Sequence, residues 1–413
     1  VQWRPADPWP SGRPRDLPLA WGSDSLDDMW NGRDWRGVRD SMLRGESCAQ
    51  CETCHALERR GARSPRQDAN DRLASQLPAQ LDTTAALPTS LELRLSTRCN
   101  LACTTCWSGS SDKIAEERNT AIATGMQLPD WLAQQWTDEL IRNATGTDDL
   151  VSQTRDAGYW DQQQSWDNFT RLAPTLQRLY VTGGEPTMDR TFPRLLDQLQ
   201  DCGNSSCHVS FTTNCTLWNP TLADRIGRFP DHEVQISMDA HGAANDLIRW
   251  PSDWRTVTDV MERWLAHPRL MRFTVLTVIS ALSVLELPDL LQHLRDTAWR
   301  TEKQITWYPI MLEHPVHLAA QLVSRSARLA VLQQLHAFDQ QGWFDARHGL
   351  AQLRSGLLDG AADGDTARLR QWLQVNDQLR GCDWRRSLWR LREDLEGCAE
   401  GQQAVLKTVP PRG

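Results

Sequence analysis

Cys99, Cys103 and Cys106 lie within the run Ser96-Thr97-Arg98-Cys99-Asn100-Leu101-Ala102-Cys103-Thr104-Thr105-Cys106. Three thiolates at this spacing can hold three irons of a cubane [4Fe–4S] cluster and leave the fourth iron without a protein ligand. Clusters that serve only electron transfer normally take four cysteines, so an open iron is built to bind something else. A second set, Cys48, Cys51 and Cys54, stands two residues apart upstream. Its part Cys51-Glu52-Thr53-Cys54-His55 has the form of a haem c attachment motif. Covalent haem generally requires export and no export signal is visible, which sets haem aside. Zinc stays open, because paired cysteines two apart are common zinc ligands.

The next chemical motif is Tyr180-Val181-Thr182-Gly183-Gly184-Glu185-Pro186, which begins 74 residues beyond Cys106 and ends the apolar run Leu176, Leu179, Val181. Two glycines let backbone approach a ligand closely, and an adjacent carbonyl or carboxylate can accept from an ammonium.

Together the cysteine loop, the alternating segment Leu91-Glu92-Leu93-Arg94-Leu95 before it and the Gly-Gly-Glu-Pro motif after it resemble the radical SAM superfamily. The resemblance implies a partial (β/α)6 barrel, a [4Fe–4S] cluster on Cys99, Cys103 and Cys106, and S-adenosylmethionine (SAM) on the open iron. It also implies that Gly183, Gly184, Glu185 and Pro186 hold the amino group of SAM. Asn214 and Ser237 are expected SAM contacts by the same resemblance, in Thr212-Thr213-Asn214 and Ser237-Met238-Asp239-Ala240. Arg249 can offer its planar fork to the methionine carboxylate, against a surface salt bridge as the plainer reading. Thr277 and Val278 border the adenine or merely fill the barrel. One departure is Thr105, where many members carry a bulky residue before the third cysteine; the nearby Trp107 is a candidate substitute.

The stretch from Ser25-Leu26-Asp27-Asp28-Met29-Trp30-Asn31-Gly32 through Cys51-Glu52-Thr53-Cys54 to Arg66 resembles the closing half of a twitch or SPASM-type auxiliary-cluster domain, placed before the barrel. This implies a second iron–sulfur cluster on Cys48, Cys51 and Cys54; because no cysteine precedes Cys48, that cluster is incomplete, filled by Cys48, or lost. The remaining cysteines, Cys202, Cys207, Cys215, Cys382 and Cys398, have no tight mutual spacing and read as incidental thiols.

The implied activity is reductive cleavage of SAM to a 5′-deoxyadenosyl radical that removes hydrogen from a substrate, an electron arriving from an external donor such as flavodoxin or ferredoxin. A peptide or protein substrate leads, because such auxiliary-cluster domains often accompany peptide maturation. The same radical acting on a small sugar, nucleoside or amino acid is the alternative, and a non-catalytic iron–sulfur or zinc protein the second alternative. The protein's part in such chemistry is binding, orientation and exclusion of water.

Composition narrows the partners. A net charge of −8 supplies no broad basic field for nucleic acid or an anionic membrane surface. No run of roughly 18 apolar residues spans a bilayer, and eleven clustered cysteines suit a metal site in a reducing compartment better than a secreted disulfide framework. The chain reads as cytoplasmic. It starts at Val1 rather than a methionine, as a fragment or processed chain would.

The positioning elements follow from periodicity. Short apolar runs at Leu91 to Leu95, Leu176 to Thr182, His208 to Thr213, Glu233 to Met238, Phe273 to Ser280 and Gln304 to Ile310 predict six parallel strands separated by helical patterns. In such barrels working groups gather at the C-terminal strand ends, where these motifs fall. Residues 1–85 are assigned to an irregular lead and the twitch-like segment, 86–318 to the barrel, and 319–413 to a C-terminal helical cover with a disordered tail. The interval from Trp107 to Pro174 exceeds one crossover and predicts an insertion beside the active face. The 20 tryptophans fall mostly at helical positions and read as packing.

Overall fold

The computed structural model describes residues 24–46, 51–59, 64–73, 87–145, 157–312, 314–336, 338, 344–345, 347–358 and 366–397. The predicted runs form β1 (Ser90–Arg94), β2 (Arg178–Thr182), β3 (His208–Thr213), β4 (His232–Ser237), β5 (Arg272–Ile279) and β6 (Ile305–Met311). A further two-residue strand, β7 (Phe344–Asp345), was not foreseen. All seven pair in parallel and in chain order, and no pairing joins β7 back to β1 among the described residues. Parallel neighbours need long crossovers, and helices supply them. The result is an open α/β sheet of partial-barrel type.

Parallel strands covered on both sides read as continuous apolar runs. These instead alternate. Leu91, Leu93, Leu179, Val181, Val209, Phe211, Val234, Ile236, Phe273 and Val275 are buried on one face. Against it lie the helices Thr191–Asp201, through Phe192, Leu195, Leu196 and Leu199, and Trp254–Leu265, through Val257, Met261, Trp264 and Leu265. Phe192, Phe211 and Trp264 pack in succession as tilted rings, with centroids 5.3 and 5.7 Å apart.

The other face is polar and partly open. Glu92, Arg94, Arg178, Tyr180, Thr182, Thr212, Glu233, Gln235 and Ser237 share it by register. Hydrogen bonds cross it from Tyr180 to Thr212 (2.7 Å), Thr212 to Gln235 (3.1 Å), Gln235 to Glu233 (3.0 Å) and Thr274 to Glu233 (2.5 Å). Toward β6 it turns apolar, with Leu276, Val278, Tyr308 and Ile310 side by side. A concave polar face is what a sheet needs if its hollow is to receive a wet ligand rather than a hydrophobic core.

The expected insertion is present between β1 and β2 as the helices Asp112–Ala123, Asp130–Thr145 and Gln163–Leu172. The N-terminal helix Leu26–Trp30 sits on the last of these. Leu26 N donates to Asn168 Oδ1 (3.0 Å), and Asn168 Nδ2 donates to the Asp24 carbonyl (2.9 Å).

The C-terminal part is helical through Arg325–His336, Arg347–Leu358, Thr366–Arg380, Trp384–Ser387 and Trp389–Glu396. It is pinned to the sheet layer by the Arg390 fork, which reaches Glu286 (2.5 Å) and Asp289 (2.7 Å). The tail expected to be disordered lies outside the described residues. No helix among the described residues is long and apolar enough to cross a membrane.

Candidate functional site

The cysteine loop leaves the C-terminal end of β1 and is tied down on every side. Ser96 Oγ donates to Asp189 (2.8 Å), and Cys99 N donates to Asp112 Oδ1 (3.0 Å) at the start of the Asp112–Ala123 helix. Ser111, the N-cap of that helix, donates through Oγ to the Leu101 carbonyl (2.7 Å). Ala102 N and Thr104 N donate to the carbonyls of Trp250 (2.6 Å) and Ile248 (2.8 Å), so Cys103 and Arg249 sit at the middle of two paired segments. Ser108 closes the loop by donating from N (2.8 Å) and Oγ (2.5 Å) to Glu139, a carboxylate ion-paired with Arg118.

The second motif presses directly on this loop. Gly183 and Gly184 have φ of +82° and +54°, a region open to glycine and strained for other residues. A Cβ on Gly184 would stand 2.3 Å from the Arg98 carbonyl oxygen. Glu185 N donates to that same oxygen (2.7 Å). Both glycines are therefore demanded by geometry: one strand-end turn is laid against the residue preceding Cys99.

Glu185 is engaged within the protein itself. Its carboxylate is 1% exposed and accepts from Thr187 N (3.1 Å), Thr187 Oγ1 (2.7 Å), Thr213 Oγ1 (2.7 Å) and Asn214 N (2.7 Å). Burial pushes the carboxyl up from its ordinary range while these four donors hold it back. The side chain thus clamps the ends of β2 and β3. Pro186 is buried and starts a short turn of helix, Pro186–Met188.

Asn214 is likewise committed. Its Nδ2 donates to Asn100 Oδ1 (2.7 Å) and reaches 4.0 Å from Cys99 Sγ, while its Oδ1 accepts from Thr216 N (3.0 Å) and Oγ1 (2.7 Å). Ser237 ends β4 on the concave face, half-buried. Thr277 is fully buried, donates to the Met238 carbonyl (2.7 Å) and accepts from Trp307 Nε1 (2.9 Å). It is barrel filler. Strand alternation puts Val278, not Thr277, on the concave face.

Arg249 is buried, not a surface residue. Its Nη1 donates to Asp239 Oδ2 (2.9 Å), whose Oδ1 accepts from Val278 N (2.8 Å). Asp239 thus orients Arg249, a role its place in Ser237-Met238-Asp239-Ala240 did not reveal. The Arg249 Nε is buried without a hydrogen-bond partner.

A second guanidinium arrives from far away in sequence. Arg380, at the end of the Thr366–Arg380 helix, pairs with Glu117 through Nε (2.9 Å) and Nη2 (2.9 Å), and Nη2 also donates to the Ala102 carbonyl (2.8 Å), 278 residues away. Nothing local in the sequence singled it out.

Burial holds the three thiols protonated, pushing Cys99 up to about 12 and Cys106 up to about 11, with Cys103 raised for the same cause. Arg249 and Arg380 oppose this at Cys103. Metal binding would displace these protons and leave thiolates facing buried cations, which is favourable charge chemistry for an iron–sulfur cluster. No three thiol, imidazole or carboxylate groups converge at single-ion distance among the described residues.

In the upstream set, Cys51 and Cys54 are half-buried around the start of the Glu52–Arg59 helix, close enough to Arg66 for each to act on its charge. Arg66 pairs with Glu58. Cys48 lies outside the described residues.

No family model matches the chain, and no curated protein matches it. Among solved structures it is similar to anSMEcpe with bound AdoMet, at 16% identity and a TM-score of 0.37, over 60% of this chain and 59% of that one. It is similar to Streptococcus suis SuiB bound to the precursor peptide SuiA, at 13% identity and a TM-score of 0.35, over 75% of this chain and 60% of that one. A third likeness is to TYW1 with a lysine–pyruvate adduct, at 15% identity and a TM-score of 0.31, over 59% of this chain and 74% of that one. This chain thus matches about three fifths of the length of the first two. At these TM-scores the functional reading rests on this chain's own residues.

Proposed function

We propose that the chain is a radical SAM enzyme, with a [4Fe–4S] cluster on Cys99, Cys103 and Cys106 and SAM bound beside the junction of that loop with the Gly183–Pro186 turn. The observation that carries this reading is the contact of the two motifs. The turn whose glycines permit close approach is hydrogen-bonded to the carbonyl of Arg98, the residue before the first cysteine. When bound, the cluster and SAM would supply one-electron cleavage to a 5′-deoxyadenosyl radical, the electron coming from an external donor of the flavodoxin or ferredoxin kind. The chain's own residues hold and shield. Backbone carbonyls at Gly183 and Gly184 receive the ammonium, Ser237 and Val278 line the concave wall, and Arg249 Nε offers a buried donor to the carboxylate. Asn214 holds Asn100 and so shapes the cluster loop.

For the substrate, a peptide or protein leads. The support is the Cys51–Cys54 segment and its resemblance to auxiliary-cluster domains that accompany peptide maturation. A small polar substrate such as a sugar or nucleoside is the second reading, favoured by the hydrogen-bonded polar face of β2 to β5.

Anaerobic reconstitution followed by dithionite and SAM tests the enzyme claim. Release of 5′-deoxyadenosine is expected, and its loss when Cys99, Cys103 and Cys106 are replaced by alanine. No release from a chain that has taken up iron would overturn the proposal. Iron analysis of the same sample separates one cluster, about four irons, from two clusters, about eight.

A further inference from the structure

Cys103 is flanked by buried polar atoms that lack partners. Arg380 Nη1, Arg249 Nε and Thr104 Oγ1 are each buried with no hydrogen-bond partner, although other nitrogens of both guanidinium groups are paired. All three belong to residues around one thiol. Thr104 follows Cys103, Arg249 lies across the paired segments from it, and Arg380 is bound to the Ala102 carbonyl before it. A folded chain seldom leaves buried donors orphaned unless something absent from the protein chain accepts from them.

The two guanidinium groups differ in their counter-charges. Arg249 faces Asp239, whose side chain is 1% exposed, so that pair is neutral and sealed. Arg380 has a side chain 5% exposed and faces Glu117 at 17%, so its anion is partly wetted while its own charge is not. At Cys103 the pull of Arg249 is opposed by Asp239, and Arg380 adds a second buried positive charge.

The helix that carries it is firmly docked. Leu369 and Leu373 are buried, Trp131 Nε1 of the insertion donates to Gln371 (2.7 Å), and Trp372 packs 6.1 Å from His317.

We propose that Arg380 sets the reduction potential of the cluster, its Nη1 donating to a sulfur at the Cys103 corner and its buried charge favouring the reduced state. This rests on the reading that a cluster occupies the three-cysteine loop. Charge near the cluster and hydrogen bonds to its sulfurs are the levers by which a protein moves such potentials. The C-terminal helical region is thereby more than a cover: it makes the cluster reducible by an ordinary donor.

The test is a redox titration of the reconstituted full chain, followed by electron paramagnetic resonance. Arg380→Gln keeps a donor for the Ala102 carbonyl and removes the charge. At a fixed potential near the midpoint its ratio of reduced to oxidised cluster should fall about tenfold, equivalent to about 59 mV for a one-electron couple. Arg380→Lys, which keeps the charge, should recover most of that ratio.

Glu117→Gln leaves Arg380 in place and removes its counter-charge, so the ratio should rise. This variant keeps the proposal exposed if Arg380→Gln fails to load iron. An unchanged ratio in Arg380→Gln, or an unchanged or lowered ratio in Glu117→Gln, overturns the role of Arg380. Absence of any [4Fe–4S] signal in the unaltered protein would instead overturn the cluster itself, so the two failures are distinct.

Discussion

Replacing Gly184 by alanine separates the cost of backbone conformation from the cost of close approach. Gly184 has φ of +54°, and an L-residue held in the left-handed region costs roughly 1–2 kcal/mol. The added Cβ would also lie 2.3 Å from the Arg98 oxygen, 2.9 Å from its carbonyl carbon and 2.9 Å from the Ser96 oxygen. All three are backbone atoms, so no side chain can swing aside. Relief requires moving Arg98, which breaks the bond from Glu185 N (2.7 Å), a further loss of about 1 kcal/mol. The sum is about 2–3 kcal/mol.

Gly203 supplies the control, with φ of +82° and nothing within 4 Å of where an added Cβ would stand. Gly203→Ala should show only the conformational part, about 1–2 kcal/mol. Urea unfolding of both variants gives the comparison, and iron uptake on reconstitution gives a second readout, because displacing Arg98 displaces Cys99. Equal stability losses together with equal iron uptake in the two variants would refute the claimed contact between the motifs.

Glu185→Gln should destabilise by about 1–3 kcal/mol, because one half of the new amide presents N–H to the N–H of Thr187 or Asn214; weaker SAM binding by calorimetry with unchanged stability would instead make Glu185 a direct ligand group. His293 and His317 are held near pKa 4 mainly by burial, so the unfolded chain binds more protons between about pH 6.5 and 4. The contribution of each histidine should therefore fall as pH drops through that window, by roughly 3 kcal/mol at its lower end, and be flat above it, while Glu286, pushed up to about 7, acts in the opposite sense and is common to the unaltered chain and a histidine variant. Unfolding midpoints from pH 4 to 8 check this, and a His317→Gln variant with an undiminished slope would contradict it. Arg390→Ala should cost about 3 kcal/mol where Glu286 is ionised, since a buried carboxylate loses its partner. Burial already pushes Glu286 up to about 7, so that cost should be larger at pH 8 than at pH 6 in parallel denaturation curves.

The strands were legible because alternation is a local property. Each of the six apolar runs appears as a strand within a few residues of its expected bounds, and the chemical motifs fall at strand ends as expected. Strand β7 escaped notice because two residues carry no periodicity and are defined only by pairing with Ile305 and Thr306. Thr277 and Val278 could not be sorted from the apolar content of their run alone. Which of two adjacent residues faces the hollow depends on register with β4 and β6.

The sequence by itself determined the thiol spacing, the glycine pair and the strands that deliver them, because each lies in a stretch where local backbone rules act. Tertiary structure decided what those residues touch. It committed Glu185 and Asn214 to clamping loops, buried Arg249 against Asp239, and brought Arg380 to the Ala102 carbonyl across 278 residues. The physical reason is satisfaction of buried polar groups: which donor meets which acceptor, and which is left over, is settled only when distant segments pack together.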